Sequence, residues 1–458
     1  MREFISINPA TGEENGRVAR WDDERLDQAL AYAGYAFRDW QHKADAPTRA
    51  GWLRAVAERL RARRDELAEL MTREMGKRIA EARAEIDKCA WVCDFYAEQA
   101  PAMLADEVVE TEARQSRVVF QPLGVVLLVM PWNFPFWQVF RAAAPALAAG
   151  NAVALKHASN VPLCAQAIES VFQEAGLPED LFTNLMIGAD QVERAIRHEQ
   201  VRGIALTGSE AAGRAVAAIA GRALKKCVLE LGGSDPFVIL PDADLDKVVP
   251  MALKARFQNM GQSCIAAKRF LVDETQAPEF IERFRAAIEA HFVPGDPLDE
   301  AITLGPMASQ KLLDELHNQV VRAQDYGARV VIGGHQLERP GAYYAPTLLT
   351  DVTTSNPAFQ EELFGPVATV TTYTEPSHAL GLANATRFGL GGSVWTEDVA
   401  TGEAIALGMQ CGCAFVNDMV RSDPRLPFGG VKDSGWGREL SRYGLLEFVN
   451  IKTLWIGG

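Results

Sequence analysis

Between residues 118 and 250, apolar runs of strand length alternate with helix-length stretches, and few folds accept that rhythm. The runs at 125–130, 152–155, 203–206 and 227–231 are too short and too apolar for surface helices. Alternation of this kind predicts a parallel sheet covered by helices on both faces, the architecture of nucleotide-binding domains. It restarts after residue 250, with a helix-like run over 245–260, a strand at 269–272, helices at 279–290 and 309–325, and strands at 329–332, 367–373, 393–396 and 413–416. A second α/β domain is therefore expected over residues 231–432. Upstream, residues 22–99 read as helices, with Leu26, Ala29, Leu30, Ala33 and Phe37 at helical spacing and Pro47 suited to a first helical turn. The tail, 447–456, is apolar and extended, and is expected to pair as a strand away from these cores.

With 458 residues, two or three domains are expected. Lysine plus arginine number 46 against 60 acids, a net charge of −14, which disfavours nucleic acid because that partner is bound largely through phosphate neutralisation. Arg54, Arg59, Arg61, Arg63 and Arg64 are interleaved with Glu58, Asp65 and Glu66 and read as a solvated helix face. The first nine residues lack the apolar core of a signal peptide. The apolar run ending at Met130 falls far short of the ~20 residues that span a bilayer, so no membrane partner is expected. Seven scattered cysteines argue for reduced thiols in a cytoplasmic protein. Cys89 with Cys93, and Cys411 with Cys413, lack the spacing and the histidine partners of a zinc site, so no metal is expected.

Chemistry is suggested by several stretches at junctions between regular elements. Asn259-Met260-Gly261-Gln262-Ser263-Cys264 places a thiol between a helix and a strand, although a free cysteine by itself packs as a small hydrophobe. In Pro131-Trp132-Asn133-Phe134-Pro135, two prolines fix the backbone around one amide at the end of a strand. That amide can donate to a developing oxyanion or cap the following helix. Leu229-Glu230-Leu231-Gly232-Gly233 ends a strand on a carboxylate, suited to act as a base if burial raises its pKa or else to pair with a buried cation. In Thr207-Gly208-Ser209 a glycine turn opens a helix, where a phosphate can approach the N-terminus. Lys156 ends a strand of the same sheet. Glu361-Glu362-Leu363-Phe364-Gly365-Pro366 sets carboxylates and an aromatic ring beside a Gly-Pro turn.

Together with Pro427-Phe428-Gly429-Gly430, these ordered motifs resemble the aldehyde dehydrogenase superfamily from about residue 7 to the C-terminus. Lys156-His157-Ala158, Ser234-Asp235-Pro236-Phe237 and Ala266-Ala267-Lys268-Arg269-Phe270 look like its bacterial succinate semialdehyde branch. The resemblance implies an α/β fold with a Rossmann-type NAD(P)-binding domain over residues 1–103 and 123–230. A catalytic domain would occupy 231–432, and a bridging, oligomerisation element 104–122 and 443–458. It implies a homodimer or homotetramer.

By the same resemblance Cys264 is the nucleophile, Asn133 holds the oxyanion and Glu230 activates the water that hydrolyses a thioester. Lys156, Ser159, Gly208, Ser209, Glu362, Phe364 and Trp132 would bind NAD or NADP. Many NAD-specific relatives carry a glutamate where this chain has Ser159, and a serine does not repel a 2′-phosphate. Trp137, Gln138, Ser422 and Phe428 would line the substrate pocket. The basic loop carrying Arg421 and Arg425 offers a planar fork for a substrate carboxylate, unless those arginines pair with Asp418 or Asp423. A small carboxylated aldehyde, succinate semialdehyde first, is therefore expected. Glutarate semialdehyde, other aliphatic or aromatic aldehydes, a CoA-acylating reaction and a cysteine acyltransferase or thioester hydrolase without nicotinamide are the alternatives. Flanked by Ser263 and Ile265, Cys264 has no adjacent disulfide partner and is expected to be open to irreversible oxidation.

Overall fold

The structure, a computed structural model, describes residues 3–457; Met1, Arg2 and Gly458, which the expected boundaries include, lie outside it. Two large sheets organise the chain. The first has six strands in the order Gly435–Trp436, Lys226–Glu230, Val201–Thr207, Val125–Val129, Ala152–Lys156 and Phe182–Asn184, parallel except for the first. Strands buried on both faces need apolar residues at every position rather than at every second one, and Val125–Val129 and Ala152–Lys156 are built that way. The helices Asp23–Trp40, Ala46–Ala62, Arg64–Met75 and Ile79–Met103 share one continuous core with this sheet.

The second sheet has seven strands, in the order Arg329–Ile332, Thr347–Thr350, Val367–Tyr373, Ala267–Asp273, Asp235–Ile239, Gly391–Trp395 and Cys413–Val416. All neighbours are parallel except the first pair. Successive side chains point to opposite faces, so Val238 and Leu271 enter one core while Phe237, Ile239, Phe270 and Val272 enter another. Val449–Ile456 pairs antiparallel with Gln115–Pro122, which also carries Glu107–Val108, in a separate three-stranded sheet. No helix among the described residues is long and apolar enough to cross a membrane.

Several sequence expectations need correction. The helix expected over 245–260 stops at Phe257, because Asn259, Met260 and Gly261 take left-handed φ values of 54°, 56° and 70°. Asp235–Ile239 was not anticipated as a strand; it is wholly buried but begins only five residues after another strand ends, behind a Gly-Gly-Ser turn. Phe182–Asn184 and Gly435–Trp436, three and two residues long, are too short to show a period.

Candidate active site

Register fixes where the polar residues emerge. Val129 lies opposite Lys156 and Leu206, and Thr207 opposite Glu230, so four strands end together at the carboxyl edge of the six-stranded sheet. Such an edge is where open α/β sheets leave a crevice for ligands. Lys156, Glu230, the Gly208-Ser209 turn and the loop carrying Asn133 all leave from it. The amino edge of the seven-stranded sheet meets this crevice: Asp235 is level with Ala267, three residues after Cys264. The contact is close enough that a Cβ on Gly233 would lie 2.6 Å from the Cys264 carbonyl oxygen.

The cysteine loop is held by buried cations. Lys268 Nζ donates to the carbonyls of Ser263 at 2.8 Å and Cys264 at 2.9 Å, and lies 3.3 Å from Glu362 Oε1. Glu362 Oε1 also accepts the Gly233 N–H at 3.1 Å. Arg256, fully buried, donates to Val367 O at 2.7 Å, Leu363 O at 2.9 Å, Gly261 O at 3.3 Å and Gly365 O, fastening the Glu362-Leu363-Phe364-Gly365-Pro366 turn to the cysteine loop. Gly261 must be glycine, since its φ is positive and a Cβ would meet Gly365 O at 2.3 Å. Asn259 Nδ2 donates to Asn133 O at 2.8 Å and to Gln262 O at 3.0 Å, and Asn133 Nδ2 donates to Gln262 O at 3.1 Å.

Cys264 lines a cavity of about 200 Å³ together with Phe134, Trp137, Gln138, Arg141, Ser263, Ile265, Ser422 and Phe428. Glu81, Glu85, Lys88, Val420 and Arg421 also contribute to its wall. Burial pushes the Cys264 thiol up to about 12, opposed by the positive charges of Arg141 and Lys268 and reinforced by Glu362 and Asp235.

Glu230 does not line this cavity. It is buried beneath Gly429, where a Cβ would stand 2.7 Å from Glu230 Oε1, and neither carboxylate oxygen has a hydrogen-bond partner among the described residues. Burial, then the nearby Glu439 carboxylate, raise its pKa well above the carboxylate range, against Arg141 and Arg438. The buried cation-carboxylate pair left open by the sequence is made instead by Arg141 with Glu439.

On the opposite flank, Lys156 is buried, with its pKa lowered by burial and by Arg20, while Asp190 opposes the shift. Ser159 is exposed in the turn after its strand. Ser209 caps the Glu210–Arg222 helix by accepting the Ala212 N–H at 3.3 Å, and Gly208 precedes it. Trp132 meets Phe364 edge-on at 5.7 Å between ring centres. A helix N-terminus, a buried ammonium and an aromatic pair suit phosphate, ribose and a flat ring respectively, so this donor set fits a dinucleotide.

The residues expected to line a substrate pocket divide. Trp137, Gln138, Ser422, Phe428 and Arg421 line the cavity; Arg425 does not. Arg425 pairs with Asp423 at 2.6 Å and lies over the Trp91 ring, while Arg421 pairs with Asp418. Asp423 takes two nitrogens of Arg425 and Asp418 one of Arg421, because an exposed loop lets neighbours two or three residues apart meet.

The aldehyde dehydrogenase family model matches residues 1–454. The chain belongs to the aldehyde dehydrogenase family. Among its relatives, the chain is 50% identical over 453 residues to a probable succinate-semialdehyde dehydrogenase [NADP(+)] of Synechocystis sp., covering 99% of each chain. It is 49% identical to the succinate semialdehyde dehydrogenase [NAD(P)+] of Escherichia coli K12, covering 98% of this chain and 97% of that one. The succinic semialdehyde dehydrogenase of Streptococcus pyogenes, solved in complex with NADP+, superposes with a TM-score of 0.97 at 38% identity, covering 99% of this chain and 100% of that one.

This aldehyde dehydrogenase also uses residues that its sequence motifs did not single out. Glu85 Oε1 accepts the N–H groups of Phe136 and Trp137, each at 2.9 Å, so Glu85 and not Asn133 satisfies the start of the Trp137–Ala148 helix. Lys77 pairs with Glu85, donates to Asn133 O at 3.0 Å and lies 3.9 Å from the centre of the Phe134 ring. Removing one partner from a buried pair strands the other charge. Lys77→Met is expected to destabilise the protein by about 3–5 kcal/mol, read as a lower urea midpoint; an unchanged midpoint would show that the pair does not brace the loop. Nothing local marks Lys77 or Glu85, whose partners other than each other lie some fifty residues on.

Proposed function

We propose that this aldehyde dehydrogenase oxidises succinate semialdehyde to succinate with NADP or NAD. The observation that carries this reading is the cavity, in which a thiol shares the wall with Lys88, a cation that no carboxylate pairs with among the described residues, while Arg141, Arg421, Glu81 and Glu85 on the same wall are each paired. An unpaired cation in the cavity of the nucleophile suits an aldehyde whose far end is anionic. The printed activities of the relatives support the same substrate. A kinetic panel of succinate semialdehyde and butyraldehyde with both cofactors tests it: equal kcat/KM for the two aldehydes would overturn the substrate.

In this reading the Cys264 sulfur, having lost its proton to solvent, attacks the carbonyl carbon. The oxyanion of the resulting thiohemiacetal accepts the Cys264 N–H and the Asn133 amide hydrogen that does not go to Gln262. The bound nicotinamide supplies the acceptor for the hydride. Glu230 then takes a proton from the water that attacks the Cys264 thioester, and carboxylate leaves with the thiol restored. Water attack makes the CoA-acylating alternative unnecessary.

Lys156 and Ser159 serve the adenosine ribose, Gly208 and Ser209 the pyrophosphate, Glu362 the second ribose, and Trp132 and Phe364 the nicotinamide. Ser159 leaves room for a 2′-phosphate without opposing its charge. Ser159→Glu is expected to lower kcat/KM with NADP by about 10- to 100-fold, through like-charge repulsion, and to leave the NAD value within a few-fold. Equal effects on both cofactors would remove Ser159 from this role.

Residues 1–103 and 123–230 form the cofactor domain in this reading, 231–432 the catalytic domain, and 104–122 with 443–458 the assembly element. Exposed Val108, Ile451 and Trp455 on the three-stranded sheet support a homodimer or homotetramer joined there. Seven free cysteines support a reducing, cytoplasmic setting.

A further inference from the structure

The cations around the cavity are not equivalent. Arg141 faces Glu439, Arg421 faces Asp418, and Arg425 lies outside, bound to Asp423. Lys88, on the Ile79–Met103 helix, is different. Its nitrogen donates to Ser422 Oγ at 2.8 Å and stands 4.2 Å from the centre of the Trp137 ring. Among the described residues no carboxylate comes within ion-pairing distance of it. The two acids that share its helix face are engaged elsewhere, Glu85 with Lys77 and Glu81 with Arg78. An ammonium has three protons, and one hydroxyl accepts one of them. Lys88 is half-buried, and a charge partly withdrawn from water without a counter-ion gains from a ligand that supplies one.

We propose that Lys88 is the residue that binds the far carboxylate of the substrate, with Ser422 and Trp137 setting the direction of its ammonium group. This rests on the reading that the substrate is a carboxylated aldehyde. It moves the anion's partner from the loop arginines, which the sequence suggested, to a lysine on a rigid helix. Arg425 gives two nitrogens to Asp423 and Arg421 gives one to Asp418, whereas Lys88 has no carboxylate within ion-pairing distance among the described residues and gains one when the substrate is bound. Lys88 and Cys264 line the same cavity, so an aldehyde with a carboxylate a few carbons away bridges them, while an uncharged aldehyde of the same length gains nothing from the lysine.

The groups facing Lys88 also define a pH response. Burial and then Arg141 lower its pKa to about 8, against Glu85, Asp423 and Cys89, with Glu81 and Arg421 on the same cavity wall. A bound carboxylate raises it again. Above about pH 8 the free enzyme loses this charge, so KM for the carboxylated aldehyde rises with pH while that for butyraldehyde does not.

Two readouts test the proposal. In Lys88→Met, kcat/KM for succinate semialdehyde is expected to fall about 10- to 100-fold, mostly through KM, as for loss of a charge-assisted hydrogen bond. The value for butyraldehyde should stay within a few-fold, and Lys88→Arg should keep most of the preference. Independently, succinate should slow alkylation of Cys264 by iodoacetamide in the parent enzyme and not in Lys88→Met. Retained preference in Lys88→Met, equal losses for both aldehydes, or undiminished succinate protection would each overturn the role of Lys88. A parent enzyme that shows no preference for succinate semialdehyde would instead overturn the substrate reading, and the succinate protection experiment would still decide whether Lys88 binds a carboxylate.

Discussion

Cys264→Ala is expected to lose aldehyde oxidation, with kcat/KM down about 10⁴-fold or more, because the cavity holds no other thiol. NADP binding should persist, since Lys156, Ser209 and Glu362 lie on other elements. Residual activity within tenfold of the parent would remove Cys264 from its role. The parent enzyme has a pH signature of its own. With the thiol pushed up to about 12 by burial, the reactive thiolate is a minor species at neutral pH. Its fraction grows as pH rises, so the rate of iodoacetamide labelling should climb about tenfold per pH unit between pH 7 and 9. A plateau beginning below pH 8 would mean that the thiol is activated in the empty site.

The second large effect is expected from Glu230→Gln. Hydride transfer precedes thioester hydrolysis, so this variant should release one NADPH per active site in a fast burst and then turn over about 10²- to 10⁴-fold more slowly than the parent. Mass spectrometry should find a succinyl group on Cys264. Steady turnover at the parent rate would exclude Glu230 as the base. Its pKa is raised by burial and by Glu439, which leaves the carboxyl protonated at low pH and useless as a base. Thioester hydrolysis should therefore accelerate as pH rises, and the Gln variant should lose that dependence. With its oxygens unpartnered and Gly429 above it, Glu230 is held by sterics rather than by hydrogen bonds, and the position needs glycine at 429 to keep that space.

Much of this was legible before any coordinates. Strand-length runs such as the one at 125–130 are local signals, and the period of an apolar pattern is carried by adjacent residues, so the doubly wound sheets could be anticipated. The junctions could be anticipated too, because Asn133, Glu230 and Cys264 each sit near prolines or glycines that mark an abrupt change in the chain. The register then showed why those junctions belong together: Lys156, Glu230 and the Asn133 loop leave one sheet edge.

What the sequence by itself determined was the fold class and the family, since each rests on short-range patterning. Only the tertiary structure decided which charges are free. Arg421 and Arg425 looked available because a sequence does not show that Asp418 and Asp423 reach them, and Lys88 looked like one more helical lysine. Pairing of charges depends on side chains brought together from distant segments, as Lys88 meets Ser422 across 334 residues. Low dielectric inside the fold then makes the unpaired one count. The thiol at the junction and the lysine that shares its cavity are brought together by packing alone.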